Sequence, residues 1–476
     1  MVKATLQTMR SCLIIASNFP PIQSGGVYRT LRMAKYLPEC GWDLHVLTLR
    51  ADTLLKGTST DLSLLGQVPA EIQVYRAPAH FPIERFNRIT GRSKGDLSRK
   101  TVSASGHRRS KEKKSSTGLF QRFKDRLTLP WMTPDRMVGW VTPASKLGIV
   151  AARENKADVI YSSGPPWSNH LVAGRIVKAT GLPWVADFRD PWVGNAFRPG
   201  RNEDTWEGRK HRRFEAEVYK NANVIIFNTG RARDSAVGRI GKALEDKSVV
   251  IPNGFDPAHF GDCLSSDPEP YDQISRNATP IRLIHTGAFY GKRNVDSLLA
   301  TIGGLKRNGQ ISANDLQLEM IGSIRAHEQN LIVQYSIDDI VTLVRPVPHQ
   351  ECLRRMGTAD ALLLVQTDAP LCIPGKLYEY IAVGKPILTL AAEGATADLV
   401  SSEKLGPCFD PADVCRLEAG LLDLIQQHRD GELRRTDGSI RDRYDGRQQM
   451  ALFDSVLRLA ISAGAEASLS TGVPTK

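Results

Sequence analysis

Four short segments carry residue types suited to holding an anionic ligand. The first is Ser24-Gly25-Gly26, which follows the apolar run Cys12 to Ala16 and precedes a helical pattern with Val27, Leu31, Ala34 and Leu37 on one face. Gly25 and Gly26 allow close backbone approach, and the helix start behind them offers unpaired N–H groups and partial positive charge. The spacing is neither G-x-G-x-x-G nor that of a P-loop, so dinucleotide and NTPase readings lose ground. A ligand-free strand-to-helix turn is the plain alternative.

The second segment spans Val159 to Trp192, where two strand-like runs end in polar clusters, Ser162-Ser163-Gly164 and Asp187-Phe188-Arg189-Asp190. Pro191 stops the second run, so Arg189 and Asp190 should project at its end. Asp187 and Arg189 could equally form a buried pair, and a lone His170 is more often a helix-surface or core residue than a catalyst. The third segment, Leu283 to Ile302, runs through Gly287 to Lys292-Arg293 and a helix that Asn294 could cap. Two cations beside a helix start suit a diphosphate, because a guanidinium bonds two oxygens at once. In the fourth, Pro374-Gly375 opens a helix with Lys376 in its first turn and Glu379 one turn on. Backbone N–H groups there can hold phosphate, and a carboxylate accepts from both vicinal hydroxyls of a ribose. A solvated charge pair, or a simple i,i+3 Lys–Glu pair, is the alternative in these last two.

The elements that must position these residues alternate strand-like and helical patterns, which predicts an α/β fold with parallel sheets. Strands are expected near Cys12–Ser17, Leu44–Leu49, Asp158–Ser162, Trp184–Phe188, Val224–Asn228 and Ser248–Ile251 in the first half. In the second they are expected near Ile281–Thr286, Leu316–Ile321, Ile340–Val344, Ala361–Val365 and Ile387–Leu390. The pattern divides the 476 residues into a Rossmann-like half, 1–252, a linker, 253–280, and a second Rossmann-like half, 281–440. A helix over 441–460 is expected to cross back to the first half, and 461–476 reads as a loose tail.

The net charge of +12 is concentrated. Between Glu84 and Arg126 there are 14 Lys or Arg against 4 Asp or Glu. That excess lies on and around 91–118, a stretch too poor in apolar residues to offset the entropy of ordering, so a nucleic-acid-binding body is disfavoured and a disordered basic insert expected. Beside it, Leu119, Phe120, Phe123 and Leu127 with Arg122, Lys124 and Arg126 suit a basic amphipathic helix at an anionic membrane, or a helix packed on its own domain. The 7 cysteines are scattered without a C-x-x-C pair, which fits a reducing compartment. With no apolar run long enough for a membrane span, a cytoplasmic chain is expected, free or on the inner face of the membrane.

The segments FPPIQSGGVYRTLRMAKYL, ADFRDPW, IPNGFDP, HTGAFYGKRN and GKLYEYIAVGKPIL, in that order, resemble those of bacterial glycosyltransferases of the family 4 type, over roughly Ser11 to Leu457. The resemblance implies the GT-B fold, two Rossmann-like domains facing across a central cleft. It further implies a nucleotide-sugar donor, UDP- or GDP-linked, held mainly by the C-terminal domain. By analogy Lys292 and Arg293 face the diphosphate, Gly375 to Leu377 add backbone contacts, Glu379 holds the ribose, and Arg345 to Val347 lie near the base. Gly25, Gly26 and Gly287 complete the donor contacts, and Ser163 and His170 are the acceptor candidates. Asp190 and Arg189 are the catalytic candidates, with no cofactor and no metal expected. The acceptor class is a glycan or a polyprenyl-diphosphate-linked sugar of cell-surface polysaccharide assembly, and the stereochemical outcome is retention. Three positions depart from the pattern: Leu371 stands where an acidic residue precedes Glu379 by eight positions, Ala288 where an Arg is common, and Arg189 where a His is common. An epimerase of the same fold, or a non-catalytic nucleotide-sugar-binding scaffold, is the rival reading.

Overall fold

The computed structural model describes residues 9–54, 58–80, 133–196, 204–261, 279–289 and 294–471. The basic insert 91–118, the stretch 119–127, Lys292 and Arg293 lie outside them. Two all-parallel sheets organise the chain. The first has the order β3-β2-β1-β4-β5-β6-β7. Its strands are β1 (Arg10–Ile15), β2 (Trp42–Leu49), β3 (Gln73–Ala77), β4 (Val159–Gly164), β5 (Trp184–Phe188), β6 (Val224–Phe227) and β7 (Ser248–Val250). The second has the order β10-β9-β8-β11-β12-β13. It contains β8 (Ile281–Thr286), β9 (Leu316–Ile321), β10 (Val341–Val344), β11 (Ala361–Gln366), β12 (Ile387–Ala391) and β13 (Cys408–Phe409). The central strands read as unbroken apolar runs because helices cover both faces of a parallel sheet; β4 and β11 are buried along their whole length.

In each sheet the strand order reverses beside one strand. β1 pairs with β2 on one side and β4 on the other, and β8 pairs with β9 and β11. Loops leave such a switch point in opposite directions and open a crevice beyond the strands' carboxyl ends. Gly25-Gly26 follows β1, Ser163 is the next-to-last residue of β4, Gly287 follows β8, and Gly375 comes after β11. The candidate residues therefore sit at the two places where an α/β sheet binds ligands.

Six helices frame these edges: α1 (Val27–Tyr36), α2 (Ser168–Thr180), α3 (Gly230–Ile240), α4 (Gly375–Val383), α5 (Ala395–Ser402) and α6 (Met450–Thr471). In α6, Phe453, Val456, Leu457 and Ala460 are buried against Ile14, Tyr161, Val185 and Ile226 of the first sheet. The last helix thus returns to the N-terminal half. It runs past the expected limit of 460 to Thr471, because Ile461 packs on the same core and Gly464 lies against Pro183. Residues 461–471 are helical, not loose.

The start of the linker is also built in. Phe255 and Phe260 are buried with Leu377, Tyr378 and Tyr444 of the C-terminal half. The Phe255 N–H donates to the Tyr444 carbonyl at 3.0 Å, and the Gly446 N–H donates to the Phe255 carbonyl at 2.8 Å. Both crossings between the halves therefore run side by side.

Candidate active site

Gly26 caps α1 without a side-chain hydrogen bond, and the Val27 amide donates to the Ser24 carbonyl at 3.1 Å. Its own backbone is ordinary at φ −75°, and the demand for glycine is steric. A Cβ there would lie 2.6 Å from Nη1 of Arg189 and 2.7 Å from Nη2. The guanidinium thus lies over the glycine turn. Arg189 is buried, its amide donates to the Gly164 carbonyl at 2.9 Å, and Nη2 donates to the Pro165 carbonyl. Its Nε and the Oγ of Ser24 are buried without a partner. Orphaned donors on both sides of the glycine pair are what an anionic oxygen would satisfy.

Asp187 does not pair with Arg189. It receives a two-point hydrogen bond from Arg29 on α1, Nε to Oδ2 at 2.9 Å and Nη2 to Oδ1 at 2.9 Å. Tyr161 and Ser163 hydroxyls donate to the same carboxylate at 2.5 and 3.0 Å. Arg29 also donates to the carbonyls of Ile251 and Pro252 at 3.0 and 2.9 Å. One buried guanidinium thus locks the end of β5 to the start of the interdomain crossing. Burial works against its charge, but Asp187 outweighs it and holds the guanidinium more firmly protonated than usual.

Two acceptor candidates are turned inward. Ser163 is buried and engaged with Asp187, and its carbonyl accepts from the Asn169 side chain at 2.6 Å. His170 is 0% exposed. Its Nδ1 meets the Ser162 hydroxyl at 2.8 Å, and its ring stacks on Phe188 with centroids 4.7 Å apart. Burial pushes its pKa down to about 3. It is a neutral core histidine, because α2 must present an apolar face to β4 and β5. Both side chains are buried in the N-terminal half, and Nε2 of His170 has no partner there.

Asp190, one residue beyond Arg189, meets the C-terminal half. Burial raises its carboxyl pKa, opposed by Arg189 and by a hydrogen bond with the Cys372 thiol. Burial and Asp190 in turn raise that thiol. From the other sheet, the Gly287 amide donates to the Ile321 carbonyl at 2.9 Å. Gly322 faces it so closely that a Cβ there would lie 1.7 Å from the Gly287 carbonyl oxygen. Gly287 and Gly322 take positive φ, +146° and +145°, and at Gly322 the two strand ends meet where a side chain would not fit.

At the head of α4, Lys376 Nζ donates to Glu379 at 2.7 Å, and His349 Nε2 lies 3.6 Å from the same carboxylate. Burial would raise Glu379, but His349 and Lys376 outweigh it and hold the carboxyl down to about 2. The i,i+3 pair is therefore formed, and Lys376 and His349 flank an ionised acceptor. Leu377 is fully buried and its amide is bonded to the Pro374 carbonyl at 3.0 Å, so Gly375 and Lys376 are the positions left for backbone contact. Arg345 is exposed, whereas Val347 packs against the cluster holding Leu377 and Tyr378.

The two halves meet over this rim. Tyr28 of α1 feels the charges of both Glu379 and Lys376. Its ring is 6.3 Å from His259, and His259 is 5.4 Å from His349. The structure brings Gly26 to Arg189, Asp190 to Cys372, and Tyr28 to Lys376 and Glu379. Sequence reasoning missed Arg29, Tyr28, His259 and His349. A signal for the first existed, since Arg29, Arg32 and Lys35 recur every three residues behind the glycine pair, too regular for an apolar helix face. Among the described residues no group of three or more His, Cys, Asp or Glu is placed to hold a metal ion. None of their helices is long and apolar enough to cross a membrane.

Residues 113–254 match the glycosyl transferase 4-like domain, and residues 268–437 match the glycosyl transferases group 1. No curated protein matches the chain in sequence. Among solved structures it is similar to a sucrose-phosphate synthase from Thermosynechococcus elongatus, with 14% identity, TM-score 0.56, and 98% and 100% of the two chains covered. It is also similar to HepE of Anabaena in complex with UDP-glucose, with 12% identity, TM-score 0.52, and 98% and 100% covered. WaaG, a glycosyltransferase involved in lipopolysaccharide biosynthesis, aligns with 14% identity, TM-score 0.51, and 96% and 99% covered. At such identities the structures speak for the fold, two Rossmann-like halves in the GT-B arrangement, while the two domain matches occupy most of the chain from 113 to 437. The chain joins a glycosyl transferase 4-like domain to a glycosyl transferases group 1 domain and is a glycosyltransferase of the GT-B fold.

Proposed function

We propose that the protein moves a sugar from a UDP- or GDP-linked donor to a glycan or polyprenyl-diphosphate-linked acceptor of cell-surface polysaccharide synthesis, with retention of configuration. The observation that carries this reading is the meeting of two unlike rims. Arg189 over the Gly25-Gly26 turn offers positive charge from one half, and Lys376, Glu379 and His349 at the head of α4 offer a ribose and phosphate seat from the other.

In this reading Glu379 accepts from the ribose hydroxyls, and the Gly375 and Lys376 backbone lies at the diphosphate. Lys292 and Arg293 join by resemblance alone. The bond from the anomeric carbon to the phosphate oxygen breaks, and the acceptor oxygen forms the new bond on the same face of the sugar. The acceptor's proton passes to the departing phosphate, giving glycoside and nucleoside diphosphate. Negative charge grows on the leaving group, so Arg189 and the α1 start act where they stabilise it most. Each charge-assisted hydrogen bond there contributes on the order of 1.5–3 kcal/mol. In this reading Asp190 assists at the acceptor side. The basic segment between Glu84 and Arg126 suits an anionic inner-membrane surface, which would bring a lipid-linked acceptor to the cleft.

HepE was solved with UDP-glucose, which makes that donor the first to try. Incubation of the full chain with labelled UDP- and GDP-sugars should give slow release of free sugar and nucleoside diphosphate without an acceptor, and faster release with one. An epimerised donor, or binding without turnover, would overturn the reading.

A further inference from the structure

The turn Pro370–Pro374, between β11 and α4, is joined to the N-terminal half by three contacts that the reading above does not use. Leu371 is the one residue of the C-terminal half, among the described residues, packed against the large apolar cluster of the N-terminal half, to which Phe188, Trp192 and Phe227 belong. Its Cδ1 would lie 3.5 Å from a Cβ added at Gly194. Its carbonyl accepts from the Thr229 hydroxyl at 2.8 Å, and Thr229 is the residue that caps α3. The next residue, Cys372, hydrogen-bonds Asp190. From behind, the start of α5 braces the turn: the Ala395 amide donates to the Pro370 carbonyl at 2.7 Å, and the Thr396 hydroxyl to the Cys372 carbonyl at 3.1 Å. The turn then leads straight into Gly375, Lys376 and Glu379.

We propose that Leu371 is a positioning residue, an apolar pin that seats in the N-terminal half and fixes how far the cleft closes, and so how Asp190 and Arg189 face the head of α4. This rests on the transferase reading. An apolar side chain at an interface between two halves gains its burial only when the halves meet, so it favours the closed arrangement without touching substrate. A carboxylate at this position would have to pack against an apolar cluster, at a cost that an apolar side chain avoids. The braced turn transmits the seat rigidly, because the hydrogen bonds from Thr229, Ala395 and Thr396 hold its backbone on both sides.

The test compares the full wild-type chain with L371A and the conservative L371M. Solution X-ray scattering without nucleotide reads the arrangement of the halves, and release of UDP from UDP-glucose or another accepted donor reads turnover. For L371A we expect a larger radius of gyration, kcat lowered about tenfold or more, donor KM changed less than about threefold, and an unchanged melting temperature. L371M should restore both the scattering and kcat. Wild-type scattering and kcat in L371A would overturn the proposal, as would a loss that follows melting temperature and is equal in L371M. If the wild-type chain turns over no UDP- or GDP-sugar, the transferase reading fails, while the scattering comparison still decides the pin.

Discussion

At the scale of single residues, the same sequence stretch produced both a site and a piece of core, and the packing around each side chain separates them. Arg189 and His170 both approach the end of β4. Arg189 lies over the glycine turn with its Nε unpartnered; His170 also has an unpartnered Nε2, but its ring is sealed among Phe188, Trp167 and Trp184. A histidine held neutral down to about pH 3 when folded, yet free to protonate near 6.5 when unfolded, makes stability depend on pH. Between these values the unfolded chain binds the extra proton. Stability is therefore full above 6.5 and falls as the pH drops through that window, by about 2 kcal/mol at pH 5 from this group. Urea unfolding of the wild type from pH 7.5 to 5 should show that decline. H170N should be less stable throughout but should lose this component of the slope; an unchanged slope would mean that another group causes it. Spacing alone could not show which way these side chains face. The sequence places Ser163, Asp187 and Arg189 at strand ends correctly, but the partner of Asp187, Arg29, lies 158 positions away.

At the scale of elements, legibility followed burial. Strands covered on both faces, such as β1, β4, β8 and β11, are apolar enough to read directly. β3 was missed because it is an edge strand, Gln73–Ala77, of which only Ala77 is buried; β13 was missed because it is two residues long. α6 was read only in part, since its small and polar end carries little periodicity and is ordered by what lies beneath it. Its anchor is Phe453, 1% exposed, set edge-on to Tyr161 at 6.3 Å with the Arg29 guanidinium 4.9 Å from its ring centre. The helix from the far end of the chain thus covers the buried network that holds β5. Phe453→Ala should cost about 3–5 kcal/mol, the usual result of removing a buried aromatic ring. Denaturant unfolding of full-length protein checks this. A cost under about 1 kcal/mol would mean that α6 does not close the first sheet as described.

At the scale of the whole molecule, the two halves are held at opposite margins by different physics. On the α3 side, Arg231 pairs with Asp398 and Glu393 around the Leu371 turn, and these are exposed charges that salt can screen. On the other side the crossings at Phe255 and Asp445 run backbone against backbone. There Gly254 has no room for a side chain: a Cβ would lie 2.4 Å from the Tyr444 carbonyl oxygen and 2.6 Å from Oε1 of Gln449. Gln449 can rotate away, but the Tyr444 carbonyl belongs to a backbone fixed by its hydrogen bond from Phe255. Gly254→Ala must therefore push the two crossings apart, and overpacking of this kind costs about 1–3 kcal/mol. Gly304, with nothing within 4 Å of an added Cβ and a place inside a helix, is the matched control. Its replacement by Ala should leave stability unchanged or raise it by up to about 1 kcal/mol. The expected outcome is a lowered melting temperature and an altered radius of gyration for the Gly254 variant only. Equal melting of the two variants would mean that the crossings are not in contact, and the angle between the halves would then have to be set at the Leu371 margin alone.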